Sequence, residues 1–280
     1  MPDPLRVGLI QLTSGDDPVA NLVDTERFVR EAATAGARFV LTPEVTNIVS
    51  MSRARQHEVL RSENDDPTLA RLRDVAAECE IWLLIGSLAL LSDDPSGRFA
   101  NRSFLIGPDG QIVARYDKIH MFDAVPVSGE AYRESSGYRP GETATLARTP
   151  FGAVGMTICY DMRFPELYAR LARAGAVILT APSAFTRPTG AAHWEVLLRA
   201  RAIETGCFVL APAQCGVHPT SRGRARETHG HSLVVSPWGE VLTEGGEDPG
   251  VMLADLDLGA VVAARSRVPS LLGAQVFSGP

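Results

Sequence analysis

The sequence predicts a layered α/β domain, and three observations predict it. Helical and strand patterns alternate along the 280 residues, which favours helices packed on sheets. Strand pairs joined by tight turns interrupt that alternation, which argues against a purely parallel sheet. No linker, repeat or low-complexity segment divides the chain, so residues 1–265 are expected to form a single domain. Residues 266–280 then read as a C-terminal tail.

The elements follow in order. Arg6 to Leu12 is an apolar strand ended by Thr13-Ser14-Gly15-Asp16-Asp17. A helix follows, with Asp16 or Asp17 near its start and Val19, Leu22, Val23, Val29, Ala32 and Ala33 on one face. Gly36 ends it. Arg38 to Leu41 is a short strand leading into Thr42-Pro43-Glu44. A second helix is expected over Thr68 to Cys79, then a strand from Ile81 to Ile85. Arg102 to Ile106 and Ile112 to Tyr116 flank Gly107-Pro108-Asp109-Gly110, a hairpin signal. Asp117 to Gly141 is irregular, and a long irregular stretch inside a domain is often functional. Gly152 to Ile158 reads as a strand, Pro165 to Ala174 as a helix, Ala176 to Leu179 as a strand. A helix from Gly190 to Thr205 and a strand from Phe208 to Ala211 come next. Ser232 to Ser236 and Val251 to Asp255 are expected as strands framing Pro237-Trp238-Gly239.

Composition narrows the function. A net charge of −6 argues against a general nucleic-acid binder, which carries a basic face. No apolar run approaches the roughly 20 residues that span a bilayer, and the N-terminus is a poor signal peptide. A soluble cytoplasmic protein is the expectation. The four cysteines, Cys79, Cys159, Cys207 and Cys215, form no CxxC pair, so neither a disulfide framework nor a zinc site is expected. Neither phosphate-binding glycine loop is present, which leaves nucleotide binding without support.

Three polar residues each follow an apolar strand. Cys159 ends Ala153-Val154-Gly155-Met156-Thr157-Ile158 and precedes a helix, a junction that can expose a nucleophile near a helix N-terminus and favour thiolate. Glu44 follows Phe39-Val40-Leu41, and Lys118 follows the strand ending at Tyr116. Singly these are a buried cysteine and two surface charges. Jointly they matter, because the strand ends of open α/β sheets converge on the ligand site.

Thr42-Pro43-Glu44, Tyr116-Asp117-Lys118-Ile119-His120 and Cys159-Tyr160-Asp161-Met162-Arg163-Phe164-Pro165-Glu166 resemble, in order and separation, the three blocks of the nitrilase superfamily. The resemblance runs from about Leu5 to Asp257. It implies an αββα sandwich, with Glu44 as general base, Lys118 as electrostatic stabiliser and Cys159 as nucleophile. A second glutamate is usual in the family; Glu134 matches its motif best, with Glu130 the rival. Ala181-Pro182-Ser183-Ala184-Phe185, His193 to Glu204 and Ala213-Gln214-Cys215-Gly216 resemble the branch that contains deaminated glutathione amidase and ω-amidase. That branch implies that Arg163 and Thr189 bind a substrate carboxylate while Phe185 packs over its carbon chain; the alternative for Arg163 is an ion pair with Asp161 or Glu166. The tail, Ser266 to Pro280, shows little similarity.

The implied reaction is attack of Cys159 on an amide carbon, with Glu44 taking the thiol proton. Lys118 and the Tyr160 N–H would stabilise the oxyanion, a role worth about 3–4 kcal/mol per donor. Glu44 then protonates the leaving amine and activates the water that hydrolyses the thioester. Glu134 orients Lys118 and the amide. No metal or cofactor is needed. The expected substrate is a small carboxylate-bearing amide, hydrolysed to acid and ammonia, with deaminated glutathione ahead of α-ketoglutaramate. A carbamoylase or nitrilase of the same fold is the enzyme alternative, and a nitrilase-fold interaction module the non-enzyme one. No nucleic-acid or membrane partner is expected, and a homodimer or higher homo-oligomer is.

Overall fold

A computed structural model of the chain describes residues 3–125, 131–273, 275 and 278–279. The first part of the chain runs β1 (Leu5–Gln11), α1 (Pro18–Thr34), β2 (Phe39–Leu41), α2 (Arg53–Val59), α3 (Pro67–Glu78), β3 (Trp82–Leu90), β4 (Ala100–Ile106) and β5 (Ile112–Asp117). The short strands β6 (Asp123–Ala124) and β7 (Tyr132–Arg133) lead to β8 (Thr145–Thr149), β9 (Gly152–Met156), α4 (Pro165–Arg173), β10 (Ala176–Thr180), α5 (Arg187–Thr205) and β11 (Phe208–Ala211). Then come β12 (Cys215–Val217), β13 (Glu227–His229), β14 (Leu233–Val235), β15 (Val241–Glu244), β16 (Gly250–Leu256) and α6 (Gly259–Arg267).

Two six-stranded sheets form, in the orders β16-β1-β2-β3-β4-β5 and β15-β14-β11-β10-β9-β8. Strands β1, β2 and β3 are parallel, as are β9, β10 and β11, and antiparallel strands flank both trios. The period of two sorts the first sheet's side chains. Val7, Leu9, Phe39, Leu41, Leu84 and Leu105 face the second sheet. Ile10, Val40, Leu83, Ile85, Phe104 and Ile106 face α1 and α3. The inter-sheet core continues through Val154, Met156 and Ile178 to Tyr168 and Leu171 on α4 and to Trp194 and Leu198 on α5. The layers are therefore helix, sheet, sheet, helix, as expected. Each buried Leu, Ile or Val stabilises by about 1.5–3 kcal/mol, so apolar burial is what binds the sheets face to face.

Local signals set the helix ends. The Asp17 carboxylate accepts from the Val19 N–H at 3.0 Å, and Pro18 opens α1. Asp66 accepts from the Leu69 N–H at 2.8 Å ahead of Pro67 and α3. A carboxylate cap with proline in the first turn satisfies free donors and presets φ. Gly206, at φ +60, closes α5 in the left-handed region.

The structure differs from expectation in four places. The buried face of α1 is Asn21, Thr25, Phe28, Val29 and Ala32, while Val19 and Val23 are exposed. The Asn21 amide donates to the carbonyls of Gly15 and Asn47 at 2.9 Å each, and this polar anchor fixes the helix rotation. The partner of β14 across Pro237-Trp238-Gly239 is β15, which lies outside the expected strands; β16 pairs with β1 in the other sheet. Helix α2 and the short strands β6, β7, β8, β12 and β13, on polar or mixed sequence, are additional. Helix α6 crosses the expected domain boundary at residue 265: Arg265 donates to the carbonyls of Thr205 and Ala176, Leu271 is buried, and Arg173 donates to the Leu271 carbonyl.

One glycine is required where β3 passes the loop after β2. A Cβ on Gly86 would lie 1.9 Å from the Thr42 carbonyl oxygen and 2.5 Å from that of Pro43. Neither backbone oxygen can yield without moving Glu44. Gly86→Ala should therefore lower the urea unfolding free energy by about 3 kcal/mol, the upper part of the overpacking range. An unchanged unfolding midpoint would show that the loop relaxes freely.

Candidate active site

Strands β2 and β5 run in the same direction in the first sheet, and their carboxyl ends carry Glu44 and Lys118. The Thr42–Thr46 loop is tied to β3: the Thr42 N–H donates to Leu84 O at 3.0 Å, the Ser87 N–H to Pro43 O at 3.2 Å, and the Val45 N–H to the Ser87 hydroxyl at 2.8 Å. Val45 sits at φ +48, a strained value for a β-branched residue. The Lys118 N–H donates to Asn101 O at 3.0 Å. From the second sheet, β9 delivers Cys159, which opens a 3-10 turn, Cys159–Arg163, at φ +51. Its N–H is held by the Pro182 carbonyl at 2.9 Å. Two adjoining loops in strained non-glycine conformations mark a site where surrounding structure over-determines the backbone.

Lys118 is 2% exposed. Its Nζ donates to Glu44 Oε1 and to both Glu134 oxygens, each at 2.8 Å. The Asn101 amide donates to Glu44 Oε1 at 2.9 Å, the Ala184 N–H to Glu44 Oε2 at 2.9 Å, and the Phe122 N–H to Glu134 Oε2 at 2.6 Å. The Cys159 thiol and the Glu44 carboxylate line the same cleft and act on one another. Burial works against an ionised Glu44, but the Lys118 ammonium and these hydrogen bonds outweigh it and hold the carboxyl below its usual range. Burial likewise works against charged Lys118, and Glu134 and Glu44 more than reverse this, so its pKa stands well above the ordinary value. Burial first, and then the Glu44 carboxylate, pushes the Cys159 thiol up despite Lys118. The helix-start effect expected to favour thiolate is thus overridden, and Cys159 holds a neutral thiol beside an ionised Glu44 carboxylate.

A second buried carboxylate fixes the frame. Asp161 accepts from the Tyr116 hydroxyl at 2.7 Å, the Ile158 N–H at 2.9 Å and the His120 N–H at 3.0 Å, and its Oδ1 is 2.7 Å from His120 Nδ1. It locks the strand that carries Lys118 to the turn that carries Cys159. Burial and the nearby Asp161 charge raise the Tyr116 phenol, so it stays a donor.

All four expected catalytic residues and all four expected substrate-binding residues line one cleft of about 300 Å3. Glu130, the rival second glutamate, lies outside the described residues. The Tyr160 N–H, beside the nucleophile, has no acceptor among the described residues. The Arg163 guanidinium lies 5.5 Å from the Phe185 ring and 5.9 Å from that of Tyr160, and its Nη2 is 3.2 Å from His193 Nδ1. No ion pair joins it to Asp161 or Glu166 among the described residues. Thr189 Oγ1 is 2.7 Å from Thr186 Oγ1. Asn101 went unread in the sequence; its signal is a polar residue near the start of an apolar strand. Arg53, Tyr138 and Arg226 also line the cleft without a local sequence signal.

The other cysteines sit apart from this chemistry. The Cys207 thiol donates to Ala176 O at 3.2 Å, and Cys215 Sγ is 3.3 Å from Thr13 Oγ1. Among the described residues no helix is long and apolar enough to cross a membrane.

The family model described as carbon-nitrogen hydrolase matches residues 6–266. The chain is 38% identical over 268 residues to a deaminated glutathione amidase of Yersinia enterocolitica, covering 95% of this chain and 91% of that protein. Against the deaminated glutathione amidase of Mus musculus it is 42% identical, covering 94% and 81%. The crystal structure of the C. elegans NitFhit protein superposes with a TM-score of 0.90 at 33% identity, covering 98% of this chain. The chain spans 65% of that protein's length. A match over nearly the whole chain, on the αββα layers and cleft just described, places the chain in the carbon–nitrogen hydrolase family of the nitrilase superfamily.

Proposed function

We propose that this enzyme hydrolyses a small, carboxylate-bearing amide through a thioester at Cys159, and that deaminated glutathione is its foremost substrate. The observation that carries the mechanism is the Cys159 thiol facing a Glu44 carboxylate that Lys118 keeps ionised. As the thiol attacks the amide carbon, its proton passes to Glu44. The Lys118 ammonium and the free Tyr160 N–H receive the developing oxyanion. Glu44 returns the proton to the leaving nitrogen, then activates water against the thioester. Glu134 shares both its oxygens with Lys118 and so aims the ammonium. Arg163 and Thr189 take the substrate carboxylate, and Phe185 covers its carbon chain, since planar guanidinium matches carboxylate geometry.

The leaving group separates the two substrates. A primary ω-amide such as α-ketoglutaramate releases ammonia. Both amides of deaminated glutathione are N-substituted, so its cleavage releases an amine, cysteinylglycine, instead. The relatives' names favour the second, and the expectation of ammonia release belongs to the first. A cytoplasmic homodimer is part of this reading. Its dimeric part is supported by apolar side chains exposed on α5 (Val196, Ile203) and α6 (Val262), with Trp238 nearby.

Three outcomes test it. Cys159→Ala should fold and lose at least ~10³-fold in turnover of deaminated glutathione, followed as cysteinylglycine; retained turnover would remove the thioester. Glu134→Gln should lower kcat by about 10²-fold, the scale for one stabilising donor, with KM little changed. A KM effect alone would make Glu134 a binding residue. The third is the pH profile of kcat/KM, which reports the free enzyme's groups. Glu44 must be ionised to act, its pKa is depressed, and that form is lost only as pH falls through the lowered value. Activity should therefore fall only below about pH 4.5, the ordinary carboxyl value. Because the thiol pKa is raised, no increase should appear between pH 7 and pH 9. A rise there would mean that preformed thiolate is the nucleophile.

A further inference from the structure

The cleft is cationic beyond what the chemistry above uses. Among its described lining residues stand Lys118 and four arginines, Arg53, Arg133, Arg163 and Arg226, against the carboxylates Glu44 and Glu134. That is five positive charges against two, an excess of three, in a chain whose net charge is −6. None of the four arginines has a carboxylate within ion-pairing distance among the described residues, whereas Arg55, Arg102, Arg139, Arg187 and Arg222 elsewhere all do.

Two of these arginines are held open. Arg226, on the loop before β13, donates only to the Ala184 carbonyl, and its buried Nε has no partner. Arg53, at the start of α2, donates only to Gly137 O at 2.8 Å, and its guanidinium lies 4.4 Å from the Phe99 ring. Both face the Tyr138 phenol, which Gln56 reaches at 3.1 Å. Guanidinium groups with neutral partners and an unused N–H are set for an anion.

Position says which part of the substrate they meet. Arg163 packs on Tyr160 and Phe185, where the acyl chain lies. Arg226 donates to the carbonyl of Ala184, the residue whose N–H holds Glu44, and Arg53 donates to the carbonyl of Gly137, beside Tyr138 and in the turn that begins at Glu134. Glu44 is the group that protonates the leaving nitrogen, so this pair lies on the leaving-group side.

We propose that Arg226 and Arg53 form a second carboxylate subsite, which binds an anionic group on the leaving amine. The preferred substrates are then N-substituted amides with a carboxylate on each side of the scissile bond. This rests on the amidase reading. It sets apart an amide such as deaminated glutathione, whose glycine carboxylate leaves with the amine, from primary ω-amides that have nothing to place there.

The test measures binding without turnover. Cys159→Ala protein is titrated calorimetrically with deaminated glutathione and with the same compound bearing a C-terminal carboxamide in place of the glycine carboxylate. Amidation should raise Kd about tenfold or more, the scale of one charge-assisted contact. In Cys159→Ala/Arg226→Gln the two ligands should bind alike. Comparing ligands within one protein cancels any general disturbance of the site, which a merely structural Arg226 would cause equally for both. Should that variant fail to fold, Arg53→Gln carries the same comparison. Equal affinities in the Arg226 protein, or a penalty that persists without Arg226, would overturn the subsite. If the wild type still cleaves deaminated glutathione in that case, the amidase reading stands alone. If it does not, and Cys159→Ala binds neither ligand, both readings fall.

Discussion

The structure turns on one ammonium shared between two carboxylates out of water. Isolated, each such charge would carry a desolvation penalty of several kcal/mol. Lys118 meets three carboxylate oxygens at 2.8 Å, and Asn101, Ala184 and Phe122 add three N–H donors to Glu44 and Glu134. Breaking a buried pair by removing one partner typically costs about 3–5 kcal/mol, because the other charge is stranded. The backbone around the site is therefore fixed in every direction that would separate these groups. The strained φ of Val45 persists because relaxing it would pull Glu44 from its partners, and that of Cys159 because the Pro182 carbonyl holds its N–H while Asp161 ties its turn to the strand of Lys118. Gly86 belongs to the same constraint, since it lets β3 carry the loop that presents Glu44.

That arrangement also chooses how the nucleophile works. A cysteine at the start of a helical turn is often read as a thiolate stabilised by peptide dipoles. Here the turn is one 3-10 segment and the thiol is buried, with the Glu44 carboxylate the charge that acts on it most. Burial and Glu44 act together and outweigh Lys118. In the proposed reaction the proton therefore stays on sulfur until an amide carbon is in place. Lys118, already held by two carboxylates, keeps its charge for the oxyanion. The proposed coupling of proton transfer to attack rests on these three positions and calls on no histidine.

Much of this was legible in the sequence. Apolar runs located β1, β4, β5 and β11 within a residue or two, and the turn residues located the β4–β5 hairpin. Glu44, Lys118 and Cys159 were visible because each ends a core strand and all three blocks match one family pattern. What was not legible depends on partners distant in sequence. The rotation of α1 is set by an Asn21 amide reaching Asn47, against an apolar pattern that pointed elsewhere. Strand β15 is short and largely exposed and exists because β14 pairs with it. Asn101 reaches Glu44 across 57 positions and Ala184 across 140. Arg226 and Arg53 look like surface arginines, since only the fold brings them to Tyr138.

The same distance effect bears on charge. A chain of net charge −6 would repel an anionic substrate if its charge were spread evenly. At physiological ionic strength the screening length is about 8 Å, so a substrate in the cleft experiences the groups that line it and little of the remaining surface. Low-dielectric walls of Val45, Ile48 and Phe185 sharpen that local field. The ion pairs that bind most of the chain's other cleft-distant arginines matter here by contrast: carboxylates are spent on the surface and withheld from the cleft. Glu44 and Glu134, the two that remain inside, are tied to Lys118 and leave the arginines unneutralised. The demand that one ammonium be held by two carboxylates thus bears on both the proposed chemistry at the sulfur and the proposed selection of an anionic amide.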